Sequence, residues 1–113
     1  MSWLHHLAWF AGGILLANAM PHLFSSVTGR PFQTPFAKPP GRGLSSSTVN
    51  ALWGFANLLA AWWLVERVGN FDLRSVVDAG SFGLGMLMAL VGLAWSFGRL
   101  HGGNDPTESS DSQ

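Results

Sequence analysis

The sequence lacks cysteine and tyrosine altogether and holds few charged residues for its length. Without cysteine it can form no disulfide framework, thiol nucleophile or cysteine-ligated metal site. Six basic residues balance six acidic ones, and a net charge of zero argues against a nucleic-acid-binding protein, which needs concentrated positive charge. Charged residues make up only 11% of the chain, against about 25% in typical soluble domains, so lipid is a more natural solvent for it than water.

What the sequence does contain is three long apolar segments, at about residues 3–24, 49–68 and 76–100. Each is long enough to cross the hydrocarbon core, which takes about 20 mostly apolar residues, and none holds a Lys or Arg in its middle. In lipid each backbone must satisfy its own hydrogen bonds, so each segment is expected to be helical. The sequence therefore predicts an all-α integral membrane three-helix bundle. It forms one transmembrane domain over residues 1–101, with an ordered Pro/Phe-rich interfacial loop at 25–48 and a disordered polar tail at 102–113.

The first segment has a second interpretation, as a cleaved signal peptide. Ala17-Asn18-Ala19 fits a small-x-small cleavage site after an apolar stretch. Against this, the residues before that stretch include no Lys or Arg, and apolar character resumes at Met20 and Leu23. We therefore expect a retained transmembrane helix.

The distribution of cations predicts an orientation. The first loop carries Arg30, Lys38 and Arg42, and Arg99 ends the third segment on the same side, whereas the opposite side has only Arg67 and Arg74. Because Lys and Arg favour the cytoplasmic side, we expect the N-terminus outside and the C-terminus in the cytoplasm.

Small residues recur at helical spacing and predict where helices pack, since backbones in lipid associate through close approach. The second segment presents Asn50, Gly54, Asn57 and Ala61 on one face, and the first has small residues on two sides. Such faces predict either one tight bundle or a bundle with one small-residue face left for a partner. The predicted packing face of the third segment consists of Ser81, Gly85, Ala89, Gly92 and Ser96.

Helix-start signals mark two of the segments. Ser75 and Asp78 are spaced as a capping box, so Asp78 is expected in a first helical turn rather than as a buried intramembrane acid. Residues 45–48 are expected to form the N-cap region of the second helix.

Asn57 lies near the middle of its predicted span, where an amide requires a partner. It is expected to bond to Asn18 or to a neighbouring carbonyl, an interaction that averages about 0.6 kcal/mol between membrane helices. The alternative is a polar lining for a solute or ion path.

Pro21 has no N–H, so the carbonyl of Ala17 loses its helical partner and the first helix is expected to kink or end there. Asn18 and His22 are positioned to supply the hydrogen bonds that the broken backbone lacks. The alternative role for His22 is a proton relay or a ligand site.

The loop "GRPFQTPFAKPPGRG" interleaves four prolines with phenylalanines and cations. Phe24, Phe32 and Phe36 are too apolar for a freely solvated loop, so the segment is expected to cap the helices at the headgroup interface. Its cations are expected to contact anionic headgroups, at about 1 kcal/mol each.

This stretch resembles an uncharacterised family of small bacterial integral membrane proteins over about residues 18–58. The resemblance rests on Pro-His, then G-R-x-F-x-T-P-F, P-P-G, L-S-S and V-N-x-x-W-G-x-x-N. It implies a multi-pass protein of the bacterial inner membrane and supplies no activity or catalytic residue. The candidate functional or structural motif is Asn18, Pro21, His22, Arg30, Phe32, Thr34, Pro35, Phe36, Asn50, Trp53 and Asn57.

The polar residues do not form a recognisable catalytic set, so neither an enzyme nor a cofactor is predicted. His5 and His6 are separated from His22 and His101 by a bilayer of about 30 Å, and no spacing matches a zinc site. Serine chemistry would need an orienting acid beside His22, and the acids on that side lie in the polar tail.

Two functions remain. The first is an accessory or structural role, in which the protein binds membrane lipid or a larger membrane protein. The alternative is an oligomeric transporter or channel subunit lined by Asn18, Asn57 and His22. Transport proteins usually keep ionisable groups within the membrane, and the centres of these segments have none, so the accessory role is favoured.

Overall fold

The computed structural model describes residues 2–103 and contains three long helices joined by a small hairpin and a short link. Helix α1 spans Ser2–Val27, α2 spans Ser47–Trp62 and continues as a π-helical segment at Trp63–Val68, and α3 spans Val76–His101. Strands β1 (Phe32–Gln33) and β2 (Leu44–Ser45) form the hairpin. The prediction of three apolar helices packed together in a mostly helical protein is confirmed, whereas the hairpin was not predicted. Beyond Gly103, the predicted disordered tail lies outside the described residues.

Helix α1 continues through Pro21 to Val27, so of the two outcomes predicted at this proline, a kink or an end, the end is wrong. Contacts beyond the proline hold the helix together. The His22 ring is hydrogen-bonded to Asn50, and the Leu23 side chain lies against Gly54, where an added Cβ would come within 2.8 Å of Leu23 Cγ. A proline costs one backbone hydrogen bond, which neighbouring helices can compensate.

Both predicted helix starts are confirmed. Ser46 caps α2, its Oγ accepting a hydrogen bond from the Val49 N–H at 3.1 Å. Ser75 caps α3 in the same way by accepting from the Asp78 N–H at 3.2 Å, and the Asp78 carboxylate accepts from the Ser75 hydroxyl and the Asp72 N–H, each at 3.0 Å. Asp78 therefore lies in a first helical turn.

Helix α1 is the central element of the fold. It packs along both α2 and α3, whereas α2 and α3 make almost no direct contact with each other in the described chain. Close approach on the α3 side depends on two glycines. A Cβ on Gly13 would collide with the carbonyl of Phe82, and one on Gly85 would collide with the carbonyl of Phe10.

The predicted packing face of α3 is correct only in part. Gly85 is buried at the contact, and Ser81 and Ala89 are half-buried, but Gly92 and Ser96 are exposed. An added Cβ on Gly92 would meet no atom within 4 Å. The C-terminal half of α3 contacts the rest of the protein through larger side chains, with Phe97 packed against the hairpin, so its small residues face outward.

Polarity is inverted relative to a soluble domain. The largest fully buried side chains are Asn50 and Thr34, whereas Phe24, Leu52 and Val91 are 70%, 69% and 62% exposed. All three helices are long and apolar enough to cross a membrane.

Candidate functional site

The hairpin closes the end of the molecule where α1 ends and α2 begins. Its two strands are antiparallel, with Phe32 opposite Ser45 and Gln33 opposite Leu44. Thr34, which is buried, bonds through its hydroxyl to that of Ser45, accepts from the Phe36 N–H at 3.2 Å, and accepts through its carbonyl from the Gly41 N–H at 2.9 Å. These bonds connect Thr34 to strand β2 and to two other residues of the proline-rich segment.

Asn50, completely buried, joins the hairpin to both α1 and α2. Its amide nitrogen donates to the carbonyls of Ser46, Phe32 and Ser45 at 3.0, 3.2 and 3.2 Å. Its Oδ1 lies 2.7 Å from Nδ1 of His22. Because the carbonyls orient the amide, His22 must donate from Nδ1, so a neutral His22 ring keeps its acceptor lone pair on Nε2.

A second polar pair lies one turn away along α1 and two turns away along α2. Asn18 donates from Nδ2 to Oδ1 of Asn57 at 3.0 Å, and Asn57 donates to the carbonyl of Trp53 at 2.8 Å. The expected contact of Asn57 with Asn18 is confirmed, together with its contact to a neighbouring carbonyl. This chain of donors leaves Oδ1 as the acceptor end of the Asn18 side chain.

Aromatic rings surround these polar groups. Phe32 packs edge-on against His22, Phe97 and His101, with ring centroids 5.5, 4.7 and 5.7 Å apart. Trp53 stands between His22, at 6.5 Å, and Phe36, at 5.0 Å. Phe32 thus fills the gap between the ends of α1 and α3, which shields the His22–Asn50 pair.

A cavity of about 170 Å³ lies between this polar junction and the hairpin. Its lining includes the side chains of Asn18, His22, Gln33 and Thr34 and the rings of Trp53 and Phe97. Gln33 is only 7% exposed, and its Oε1 is buried without a hydrogen-bond partner anywhere in residues 2–103. A buried carbonyl oxygen without a donor is unfavourable, so this atom marks a place for one.

A larger open cavity of about 470 Å³ lies next to the first. Arg42 from the loop and Arg99 from the last turn of α3 line it together with Ser96, and Gly41 lines both cavities. The Arg99 guanidinium also lies 4.8 Å from the centre of the Trp95 ring. Within the described chain this end holds Arg30, Lys38, Arg42 and Arg99 and no carboxylate, because Glu66, Asp72 and Asp78 belong to the opposite end.

The opposite end has a separate anchor that sequence reasoning missed. The buried Trp9 indole donates to the Gly69 carbonyl at 3.0 Å, where the π-helical segment ends. Phe71 packs edge-on against Trp9 at 6.1 Å, and a Cβ on Gly69 would press into the indole. Trp9 is one of six tryptophans in the chain, and its local sequence does not distinguish it from the other five.

The structure brings most of the predicted motif together. The expected Asn18–Asn57 contact is present, but the described residues do not form the bonds predicted at the Pro21 backbone. Asn18 and His22 pair with asparagines of α2 rather than with the backbone broken by Pro21, and Pro35 lines the smaller cavity. Arg30 is exposed, and Phe36 is exposed except for its contact with Trp53. Gln33 was missed. Its signal was a lone amide between Phe32 and Thr34, in a strand where neighbouring side chains point to opposite faces.

The structure is therefore that of a helical protein whose buried polar side chains lie beneath a hairpin at one end. Among residues 2–103, no group of three or more His, Asp or Glu side chains could hold a metal ion. No protein-family model, curated protein or solved structure matches the chain.

Proposed function

We propose that this chain is a three-span protein of the bacterial inner membrane with an accessory role, and that it binds phospholipid headgroups at its hairpin end. Membrane insertion is supported by the inverted polarity and by three apolar helical spans, Trp3–Val27, Ser47–Val68 and Val76–His101, of 25, 22 and 26 residues. Their most apolar 18-residue windows have mean hydropathies of 1.4, 1.3 and 1.8. Helices of this length span about 30 Å or more, the thickness of the hydrocarbon core.

The lipid-binding role rests on one observation: Arg42 and Arg99 line the same open cavity at an end without a described carboxylate. Guanidinium groups match phosphate geometry and bind it through paired hydrogen bonds. The cavity opens between the loop and the last turn of α3, which would lie at headgroup depth if the helices span the bilayer. A lipid phosphate is therefore the anion that this end would meet.

The hairpin fits the same interfacial position. Phe24, Phe36 and Leu44 are 70%, 65% and 60% exposed and would contact acyl chains, while Arg30 and Lys38 are exposed beside them. Cations near an anionic surface are each worth about 1 kcal/mol. With four cations at this end against two at the other, the cytoplasmic side is proposed for the hairpin and for the end of α3, and the outside for the start of α1.

The open groove between α2 and α3 supports the accessory role in a second way. A cavity of about 410 Å³ is floored by α1 and walled by Trp53 on one side and Ala89, Gly92 and Leu93 on the other. Because Gly92 is exposed and an added Cβ there would meet no atom within 4 Å, a helix of a larger membrane protein could approach closely.

The alternative is an oligomeric path for a solute or ion, lined by Asn18, Asn57 and His22. Against it, Asn18 and Asn57 bond to each other and to the Trp53 carbonyl, and His22 bonds to Asn50. Side chains that satisfy one another inside the fold are less available to replace the hydration shell of a passing solute.

The test is native mass spectrometry of the protein released from its own membrane. We expect wild type to retain phospholipid and the double variant Arg42→Gln/Arg99→Gln to lose most of it. The matched control is Arg67→Gln/Arg74→Gln, which removes the same charge from the opposite end and should retain lipid as wild type does. Equal retention by both variants would refute the lipid-binding role, and a defined homo-oligomer without lipid would favour transport.

A further inference from the structure

From the smaller cavity we infer the chemistry of the headgroup: its lining is built to take a protonated primary amine, presented by an aminophospholipid whose phosphate lies between Arg42 and Arg99. This inference rests on the proposed lipid-binding function and adds a specificity to it.

Three residues that line the cavity have a side-chain acceptor without a donor among the described residues. Gln33 is one of them, and its Oε1 is buried without a partner. His22 donates from Nδ1 to Asn50, so Nε2 of the neutral ring is an acceptor, and Asn18 donates from Nδ2 to Asn57, so its Oδ1 is an acceptor. The Thr34 hydroxyl is engaged with Ser45. A ligand rich in N–H or O–H donors is therefore favoured over an anion.

The rest of the lining favours a cation over a neutral donor. The rings of Trp53 and Phe97 border the same cavity, and no charged side chain of the described residues lines it. Tryptophan is the best aromatic partner for an ammonium group through cation–π attraction. Amide oxygens and aromatic rings, with no Lys or Arg among the residues that line this cavity, suit a small ammonium ion.

Size and position connect this cavity to the lipid site. A volume of about 170 Å³ accommodates a short aminoalkyl group, since one water occupies about 30 Å³ of liquid. Gly41 lines this cavity and also the one that holds Arg42 and Arg99. The amine and the phosphate of one ethanolamine headgroup, separated by two carbons, could therefore occupy both at once.

The same reasoning predicts discrimination between headgroups. A choline headgroup carries the same charge, but its trimethylammonium has no N–H to donate to Gln33 Oε1 and is bulkier. A glycerol headgroup has hydroxyl donors but no positive charge for the Trp53 face. Phosphatidylethanolamine should therefore be preferred over phosphatidylcholine with identical acyl chains.

The experiment compares the full-length protein in nanodiscs of stated composition, with equal phosphatidylethanolamine and phosphatidylcholine, by native mass spectrometry of the retained lipid. Wild type should favour phosphatidylethanolamine by about tenfold, the effect of one charge-assisted hydrogen bond. Gln33→Leu should abolish the preference, and Gln33→Glu, which places a carboxylate at the same position, should increase it. Circular dichroism in detergent establishes that each variant is folded, and the glutamate variant decides the question if the leucine variant is not.

The Arg42→Gln/Arg99→Gln variant separates this inference from the function on which it rests. It should retain less of both lipids while keeping their ratio. If that variant loses lipid but wild type shows no headgroup preference, the proposed lipid-binding function is upheld and the amine site is overturned. The smaller cavity would then hold water. Free ethanolamine is the third arm. If it stabilises the protein against heat while choline does not, and the two lipids are retained equally, the site takes a soluble amine and the assignment to a lipid is overturned.

Discussion

His22 of α1 and Asn50 of α2 form a buried hydrogen bond between Nδ1 and Oδ1, 2.7 Å apart, and Asn50 simultaneously binds three carbonyls of the hairpin and the α2 cap. One side chain therefore connects two helices and the loop between them. Removing its amide would leave several polar groups without partners at one time.

Replacement of Asn50 is accordingly expected to be among the most destabilising changes in the chain. Asn50→Leu leaves the His22 N–H and the bound carbonyls unsatisfied, at about 1–3 kcal/mol for each group that water cannot reach. Asn50→Asp keeps the acceptor for His22 but turns a second oxygen towards the carbonyls, so it should be no better. Denaturation with SDS in mixed micelles, followed by circular dichroism, measures both. If Asn50→Leu unfolded like wild type, the junction would not be a structural centre.

Close backbone approach predicts opposite outcomes for two glycines of α3. Gly85→Ala forces a methyl group into the Phe10 carbonyl and should lower the free energy of unfolding by about 1–3 kcal/mol, because the backbone of α1 cannot easily move away. Gly92→Ala is the matched control. It meets no atom within 4 Å and should be neutral or slightly stabilising, by up to about 1 kcal/mol, through helix propensity. Equal effects of the two changes in the SDS titration would contradict the packing described here.

The Asn18–Asn57 pair is suited to a double-mutant cycle. With Asn18→Leu, Asn57→Leu and the double variant, we expect a coupling free energy of about 0.6 kcal/mol and not above about 1.7 kcal/mol, the range for hydrogen bonds between membrane helices. Growth or uptake assays on the same variants test the alternative function. A folded double variant whose cells lose a solute-dependent phenotype would favour the transport path over the accessory role.

At the other end, Trp9→Phe removes the indole N–H that the Gly69 carbonyl accepts while keeping much of the ring packing. The expected loss is about 1 kcal/mol of stability, the net value of one buried hydrogen bond. Trp3→Phe is the control, since Trp3 is 56% exposed. Thermal unfolding in detergent should show a lower Tm for Trp9→Phe alone, and equal Tm values would remove the anchoring role.

The sequence predicted features that depend on local residue pattern. Run length and the absence of central cations predicted the three helices, and Ser75 with Asp78 predicted a helix start, because each of these signals lies within one continuous stretch of chain. The Asn18–Asn57 contact was accessible for a different reason: an amide in an apolar span has few possible partners.

Features that depend on how elements pack were not predictable in the same way. Pro21 ends a helix only where no contact stabilises the residues after it. Here His22 bonds to Asn50, 28 residues later, and Leu23 packs against Gly54. The small residues of α3 predicted which face packs, but not how far along α3 the close contact with α1 extends. That contact ends where the larger Phe97 packs on the hairpin. Gln33 acquires its significance from a cavity formed by three separate elements.

The central position of α1 has a consequence for assembly. Since α2 and α3 each pack on α1 and hardly on each other, the fold consists of two helix–helix associations that share one member. α1 precedes both partners in the chain and is synthesised before either, so each later helix finds its complete docking surface already in place. The protein can therefore assemble stepwise in the order of translation, because each helix packs on one that has already been synthesised.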